Sequence, residues 1–146
     1  MVLHINKVLL VGSGATSIGN ENELDAAAFE KLMAFKKMGT KVLYLDDNPF
    51  SVVSDEIQPA DVFMQPIDLE NIVNLIIRQQ PDAILFSVAG LKGQALASQL
   101  IDSGILEEHQ VALLGISVAG LQTVNNNDML RQTLTQINER VIALRL

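Results

Sequence analysis

Apolar residues follow two rhythms along this chain. Short unbroken runs alternate with longer stretches in which apolar positions recur every three or four residues. Lys7–Val11, Lys41–Leu45, Asp82–Phe86 and Val111–Leu114 are the unbroken kind. Rich in Val, Ile and Leu, they predict strands buried on both faces, as parallel sheets require. Asp61–Gln65 predicts a shorter strand of the same type. The other rhythm predicts a helix over Asn22–Met38, with Leu24, Ala28, Leu32 and Phe35 on one face and Phe29, Met33 and Lys36 beside it. Gly39 stands where a helix takes a left-handed closing residue. A second helix is predicted after Asp68, an N-cap type, with Leu69, Ile72, Val73, Ile76 and Ile77 as its apolar face and Pro81 as its stop. A third spans Gly90–Ser103 and ends at Gly104. Ser117–Val124 and Asn127–Ile142 complete the set, the latter carrying a Met129, Leu134, Ile137 and Val141 stripe.

Strands and helices thus alternate about five times through short connections. The expected architecture is α/β: an open, Rossmann-like parallel sheet of about five strands with helices on both faces. One domain over 1–146 is predicted, with an α/β core at 1–116 and C-terminal helices at 117–146. Ligands of such sheets lie at the carboxyl ends of the strands. Segments 12–19, 46–51, 87–93 and 115–117 should gather there.

Composition narrows the field. The chain has 146 residues, 49% apolar and 18% charged, which suits a globular core. A net charge of −7 without a basic run argues against nucleic acid and anionic membranes as partners. Cysteine is absent, which removes disulfides and thiolate metal sites. No apolar run approaches the ~18 residues of a membrane span, and Met1-Val2-Leu3-His4 lacks a signal peptide's basic start. A cytoplasmic location is expected.

The chemistry to be tested begins at Gly12. A dinucleotide fingerprint needs glycines at its first, third and sixth positions. Gly12 and Gly14 supply two, but Ser17 holds the sixth and Gly19 comes two residues late. Asp46 ends the second strand, where an acid could hold a ribose hydroxyl, although Asp47, Asn48 and Pro49 would crowd an adenosine. NAD(P) binding is therefore a minor alternative. A Walker loop is excluded, since no Gly-Lys-Ser or Gly-Lys-Thr follows. Gly12, Ser13 and Gly14 could offer backbone N–H groups to an anion at a helix start. A ligand-free tight turn accounts for them equally well, because Glu21, Glu23 and Asp25 already satisfy that helix end. Asp46, Asp47 and Asn48 could hold a divalent ion, but a solvated turn before Pro49 explains them better. Neither His4 nor His109 has a recognisable catalytic or metal-binding partner. The methionines, Met33, Met38 and Met64 among them, are expected to fill core.

Taken together, the longer stretches say more than the glycines. Gly12-Ser13-Gly14, Ile18-Gly19 and Glu23-Leu24-Asp25 resemble the opening of the carbamoyl-phosphate synthase large chain, where Gly-Ser-Gly-Pro, Ile-Gly-Gln and Glu-Phe-Asp stand at the same spacing. The resemblance continues through Asn48-Pro49 with Asp55, Ala60-Asp61 with Pro66, Pro81-Asp82-Ala83, and Gly104-Ile105-Leu106-Glu107-Glu108 with Gly115. It covers about residues 5 to 135 and points to the pre-ATP-grasp domain.

That resemblance implies one part of an ATP-dependent carbon–nitrogen ligase of pyrimidine and arginine biosynthesis. In that family an ATP-grasp unit supplies most nucleotide and Mg²⁺ ligands. It phosphorylates bicarbonate, admits ammonia and then phosphorylates carbamate. The pre-ATP-grasp domain lines one side of the site. Carried over, Gly12, Ser13, Gly14, Gly19, Asn48, Gly90 and Lys92 become the candidate cofactor-facing residues. No catalytic or metal-ligating residue is assigned to this chain. ATP and Mg²⁺ are expected only with an ATP-grasp partner, and the chain alone is not expected to catalyse.

Departures from the pattern are plain. Ala15 replaces a proline, Asn20 a glutamine and Leu24 a phenylalanine. Ala89-Gly90-Leu91-Lys92 stands where the family has Gly-Gly-Gln-Thr, and Asn125-Asn126-Asn127-Asp128 replaces an arginine cluster. The alternative expectation is a catalytically degenerate binding or assembly module whose partner is another chain or a second copy of itself. The apolar ending, Ala143-Leu144-Arg145-Leu146, would suit either a severed chain or an interface.

Overall fold

In a computed structural model, residues 4–12, 21–49, 51–86 and 91–115 are described. Five strands form one sheet: β1 (Lys7–Val11), β2 (Lys41–Asp46), β3 (Val62–Met64), β4 (Ala83–Phe86) and β5 (Ala112–Leu114). Every pairing is parallel, and the order is β3-β2-β1-β4-β5. The helices are α1 (Glu21–Lys37), α2 (Val52–Asp55), α3 (Leu69–Gln79), α4 (Leu91–Ser103) and α5 (Ile105–Glu108), with a 3-10 turn at Pro59–Asp61. The open parallel α/β sheet expected from the apolar runs is the architecture found. α2, the 3-10 turn and α5 are additions, too short to carry a periodic signal.

Strand order explains the layering. β1 to β2 to β3 runs one way across the sheet, and β4 to β5 runs the other way from β1. Right-handed crossovers therefore put α1 and α2 on one face and α3 and α4 on the other. Alternation along the strands matches. Val8, Leu10, Val42, Tyr44, Ala83 and Leu85 pack with Ala28, Leu32 and Phe35 of α1 and Val53 of α2. The intervening Leu9, Val11, Leu43, Leu45, Ile84 and Phe86 are also buried, and serve the face of α3 and α4. The three central strands thus bury both faces, which is why they read as unbroken apolar runs.

Helix ends follow the expected chemistry. Asp68 caps α3, its side chain accepting from the Asn71 amide at 2.8 Å. Gly39 and Gly104 take φ of 74° and 75°, the left-handed region where a side chain would be strained. Three expectations need correction. The buried face of α3 is centred on Ile72, Leu75 and Ile76, and Ile77 is exposed. Met38 and Met64 are exposed rather than core filler: Met38 follows the end of α1 and Met64 closes an edge strand. Strand β2 also runs one residue further than predicted, to Asp46. The chain divides after Gly115, and all described residues belong to the first unit. The predicted helices at 117–124 and 127–142 lie outside the described residues.

Candidate functional site

Parallel pairing brings the carboxyl ends of all five strands to one edge. The order reverses at β1, so the switch point lies between β1 and β4, where such sheets take their ligands. Among the described residues, this rim consists of Gly12, Asp46–Pro49, Ser51, Gln65 and Gly115. Ser13, Gly14, Gly19 and Gly90 lie outside the described residues. Lys92 belongs to the first turn of α4, but its side chain is not described.

Two candidates, Gly12 and Asn48, are described, and one buried acid joins them. The β1–β2 register runs Leu10 to Tyr44 and Val11 to Leu45, so the next pair in line is Gly12 and Asp46. The Gly12 amide donates to the Leu45 carbonyl at 2.7 Å, extending the ladder past the end of β1. Its N–H is therefore engaged in the sheet and not offered to a ligand. What Gly12 provides is closeness. A Cβ there would lie 2.3 Å from Asp46 Oδ2, 2.6 Å from its Cγ and 2.7 Å from Tyr44 Oη. The carboxyl and the phenol occupy the space that any side chain at position 12 would need. No positive φ requires glycine here; the crowding does.

Asp46 is fully buried, which corrects its assignment to a solvated turn. Oδ2 accepts from the Tyr44 hydroxyl at 2.5 Å and Oδ1 from the Asn48 amide at 3.0 Å. Tyr44 Oη also shares a hydrogen bond of 3.1 Å with Ser51 Oγ. That oxygen caps α2 through the Val53 amide at 3.3 Å. The Asn48 carbonyl accepts from the Ser51 amide, and the Asp46 carbonyl accepts from Gln65 beyond β3. Burial pushes the Asp46 carboxyl above the usual carboxylate range, and nearby Asp47 adds to this. The hydrogen bonds from Tyr44, Asn48 and Asp47 oppose both effects.

This arrangement bears on the chemistry weighed above. A ribose-binding acid must present its oxygens to solvent at the strand end, whereas both Asp46 oxygens face inward onto protein donors. It is equally unsuited to leading a metal site. Among the described residues, no group of three or more His, Cys, Asp or Glu converges as metal ligands. No helix among them is long and apolar enough to cross a membrane. The arrangement can hold Gly12 and the turn at Asn48 in fixed places at the carboxyl edge of the sheet.

Sequence reasoning had placed Tyr44 inside a strand and Ser51 at a segment end, without joining either to Asp46. The available signal was the even spacing of Val42, Tyr44 and Asp46, which puts all three on the face covered by α1.

Comparison with known proteins follows the same lines. The family model described as the carbamoyl phosphate synthase preATP-grasp domain matches residues 4–123. The carbamoyl phosphate synthase large chain of Clostridium botulinum is 34% identical over 138 residues, and that of Clostridium beijerinckii 33%. Each alignment covers 94% of this chain and 13% of the relative, so the chain spans about an eighth of the curated proteins it matches. Among solved structures, a Rhizobium etli pyruvate carboxylase variant with the allosteric activator acetyl coenzyme A superposes with a TM-score of 0.65. That match covers 97% of this chain and 14% of the other at 12% identity, a likeness of fold alone.

Proposed function

The chain belongs to the carbamoyl phosphate synthase pre-ATP-grasp domain family, and from that premise we propose that it forms one wall of an ATP and bicarbonate site completed by an ATP-grasp unit. The match across residues 4–123 carries this reading. On it, the partner supplies the Mg²⁺ and most nucleotide contacts. This chain supplies the strand-end rim: segment 12–19 with Gly12, Ser13, Gly14 and Gly19, the turn containing Asn48, and segment 87–93 with Gly90 and Lys92.

The rim's chemistry supports a wall and not a complete receptor. A triphosphate needs cations or metal ligands to balance its charge. The described part of the rim offers Asp46, Asp47 and Asn48, with Asp46 turned inward. Such a surface can position a ligand by shape and backbone approach, while charge neutralisation comes from elsewhere.

The test is bicarbonate-stimulated ATP hydrolysis, measured with the chain alone and with an ATP-grasp unit of a carbamoyl phosphate synthase. No turnover is expected alone, and turnover is expected from the pair. Bicarbonate-stimulated hydrolysis by the chain alone would refute the proposal.

A second reading is favoured by Leu91-Lys92 in place of Gln-Thr and by Asn125-Asn126-Asn127-Asp128 in place of arginines. On that reading the domain has lost its catalytic duties and binds a partner chain or a second copy. It predicts a stable complex with the ATP-grasp unit, or a dimer in sedimentation, with no ATP turnover from any combination.

A further inference from the structure

The two described residues of the proposed wall, Gly12 and Asn48, are not in separate surroundings. Both lie against the carboxyl of Asp46. Its Oδ1 accepts the Asn48 amide, and its Oδ2 lies where a Gly12 Cβ would be. Its backbone carbonyl accepts from Gln65, the first residue after β3. One fully buried side chain therefore stands between Gly12, the first residue past β1, and the turn leaving β2, and its main chain reaches Gln65, just past β3. Tyr44 and Ser51 continue the network to the N-terminus of α2.

We propose that Asp46 is a positioning residue for the nucleotide-facing edge: its carboxyl holds Gly12, the first residue past β1, in place against Asn48 of the turn after β2, without itself touching the ligand. The inference rests on the reading of the domain as one wall of an ATP site.

Three features separate this role from ordinary core packing. An acid is a costly choice for a fully buried place, where an apolar side chain would avoid the desolvation. The oxygens are used on specific donors, Tyr44 Oη and the Asn48 amide, that an apolar residue could not engage. The partner residue is reduced to glycine so that the carboxyl can lie under the main chain. An Asp46 carboxyl moved by one ångström would move Gly12 and Asn48 with it. A displacement of that size at a ligand-facing edge weakens binding of the ligand, which KM reads.

The experiment compares Asp46→Ala with Asp46→Asn in the full chain. Amide hydrogen exchange is read first. In Asp46→Ala, the Asn48 and Gly12 amides should exchange at least ~10-fold faster while Leu43 and Ile84 in the central strands keep their protection. Asp46→Asn retains an oxygen for the Asn48 amide and should stay within ~3-fold of the parent. Unchanged exchange at Gly12 and Asn48 in Asp46→Ala would overturn the inference, as would a loss of protection spread evenly across the sheet.

The second readout is the KM for ATP with the ATP-grasp unit present. It should rise at least ~10-fold in Asp46→Ala with kcat changed less than ~3-fold, and Asp46→Asn should restore it. Local loosening with KM unchanged would overturn the inference. An inactive parent pair would instead refute the proposed ATP-site function, which separates the two failures.

Discussion

Replacing Gly12 with alanine adds one methyl group where three atoms already stand. The new Cβ would meet Asp46 Oδ2 at 2.3 Å, Asp46 Cγ at 2.6 Å and Tyr44 Oη at 2.7 Å. Ordinary contact begins near 3.5 Å, so about an ångström of separation must be found. Asp46 and Tyr44 are both fully buried, so neither can swing into solvent. Overpacking of this kind costs about 1–3 kcal/mol. If the carboxyl rotates away, its Oδ2 loses the Tyr44 hydroxyl as donor, and a buried polar atom left unsatisfied adds about 1–3 kcal/mol. Gly12→Ala should therefore lose roughly 2–6 kcal/mol, a large share of the ~5–15 kcal/mol that holds a domain folded. Urea unfolding followed by circular dichroism measures the loss. The decisive control is the double variant with Asp46→Ala, which removes two of the three clashing atoms. If the clash is the cause, the two changes should couple favourably by at least ~1 kcal/mol. A single-variant cost below ~0.5 kcal/mol, or costs that add within that margin, would refute the argument that the carboxyl dictates the glycine.

Other positions probe other forces. In Asp46→Asn, the amide imitates the protonated acid. Burial raises the folded-state pKa of Asp46, so the folded form holds its proton more tightly than the unfolded form. The stability lent by that proton is complete below the unfolded value of ~3.9 and is withdrawn as pH rises through the raised folded value. The stability of Asp46→Asn relative to the parent should therefore increase with pH across that window and level off above it, read from urea midpoints. A difference constant with pH from ~3.5 to 7 would contradict the assignment. Asp68→Ala removes the cap of α3 and should cost about 1 kcal/mol, while Asp68→Asn should be close to neutral. Gly39→Ala and Gly104→Ala place a side chain at φ of 74° and 75° with nothing within 4 Å. Each should cost about 1–2 kcal/mol through the backbone alone, and neither should couple to Asp46 in a double-variant cycle.

The fold was legible because burial on both faces leaves so plain a mark. Lys7–Val11 was bounded to the residue, and the other strands to within one residue at either end. A central parallel strand tolerates no polar interruption, and polar, glycine or proline residues flank it on each side. Short elements left no such mark. α2 and α5 are single turns, set by Ser51 and Gly104 at their starts and by the packing of Val53 and Leu106. Ile77 was misplaced because three- and four-residue spacing does not say which edge of a helical stripe meets the sheet. The exposed Met38 and Met64 show the same limit, since hydrophobicity alone does not reveal what lies beyond the end of an element.

Asp46 is the more instructive case, because general residue preferences and the strand's own geometry disagree about it. Asp-Asp-Asn-Pro is among the strongest turn compositions, and on that evidence the strand stops at Leu45. The alternation of β2 says otherwise. Val42 and Tyr44 point at α1, and one more residue of strand puts Asp46 on the same face, two positions from a tyrosine whose hydroxyl needs an acceptor. Tyr44 is the sole tyrosine of the chain and is fully buried. A buried phenol without a polar neighbour is rare, because its hydroxyl would forgo a hydrogen bond. Asp46 is the nearest candidate in sequence on that face. The acid then requires the residue beside it in register to have no side chain, and that residue is Gly12. The first glycine of a loop that looks built for phosphate is thus accounted for by an aspartate on the neighbouring strand.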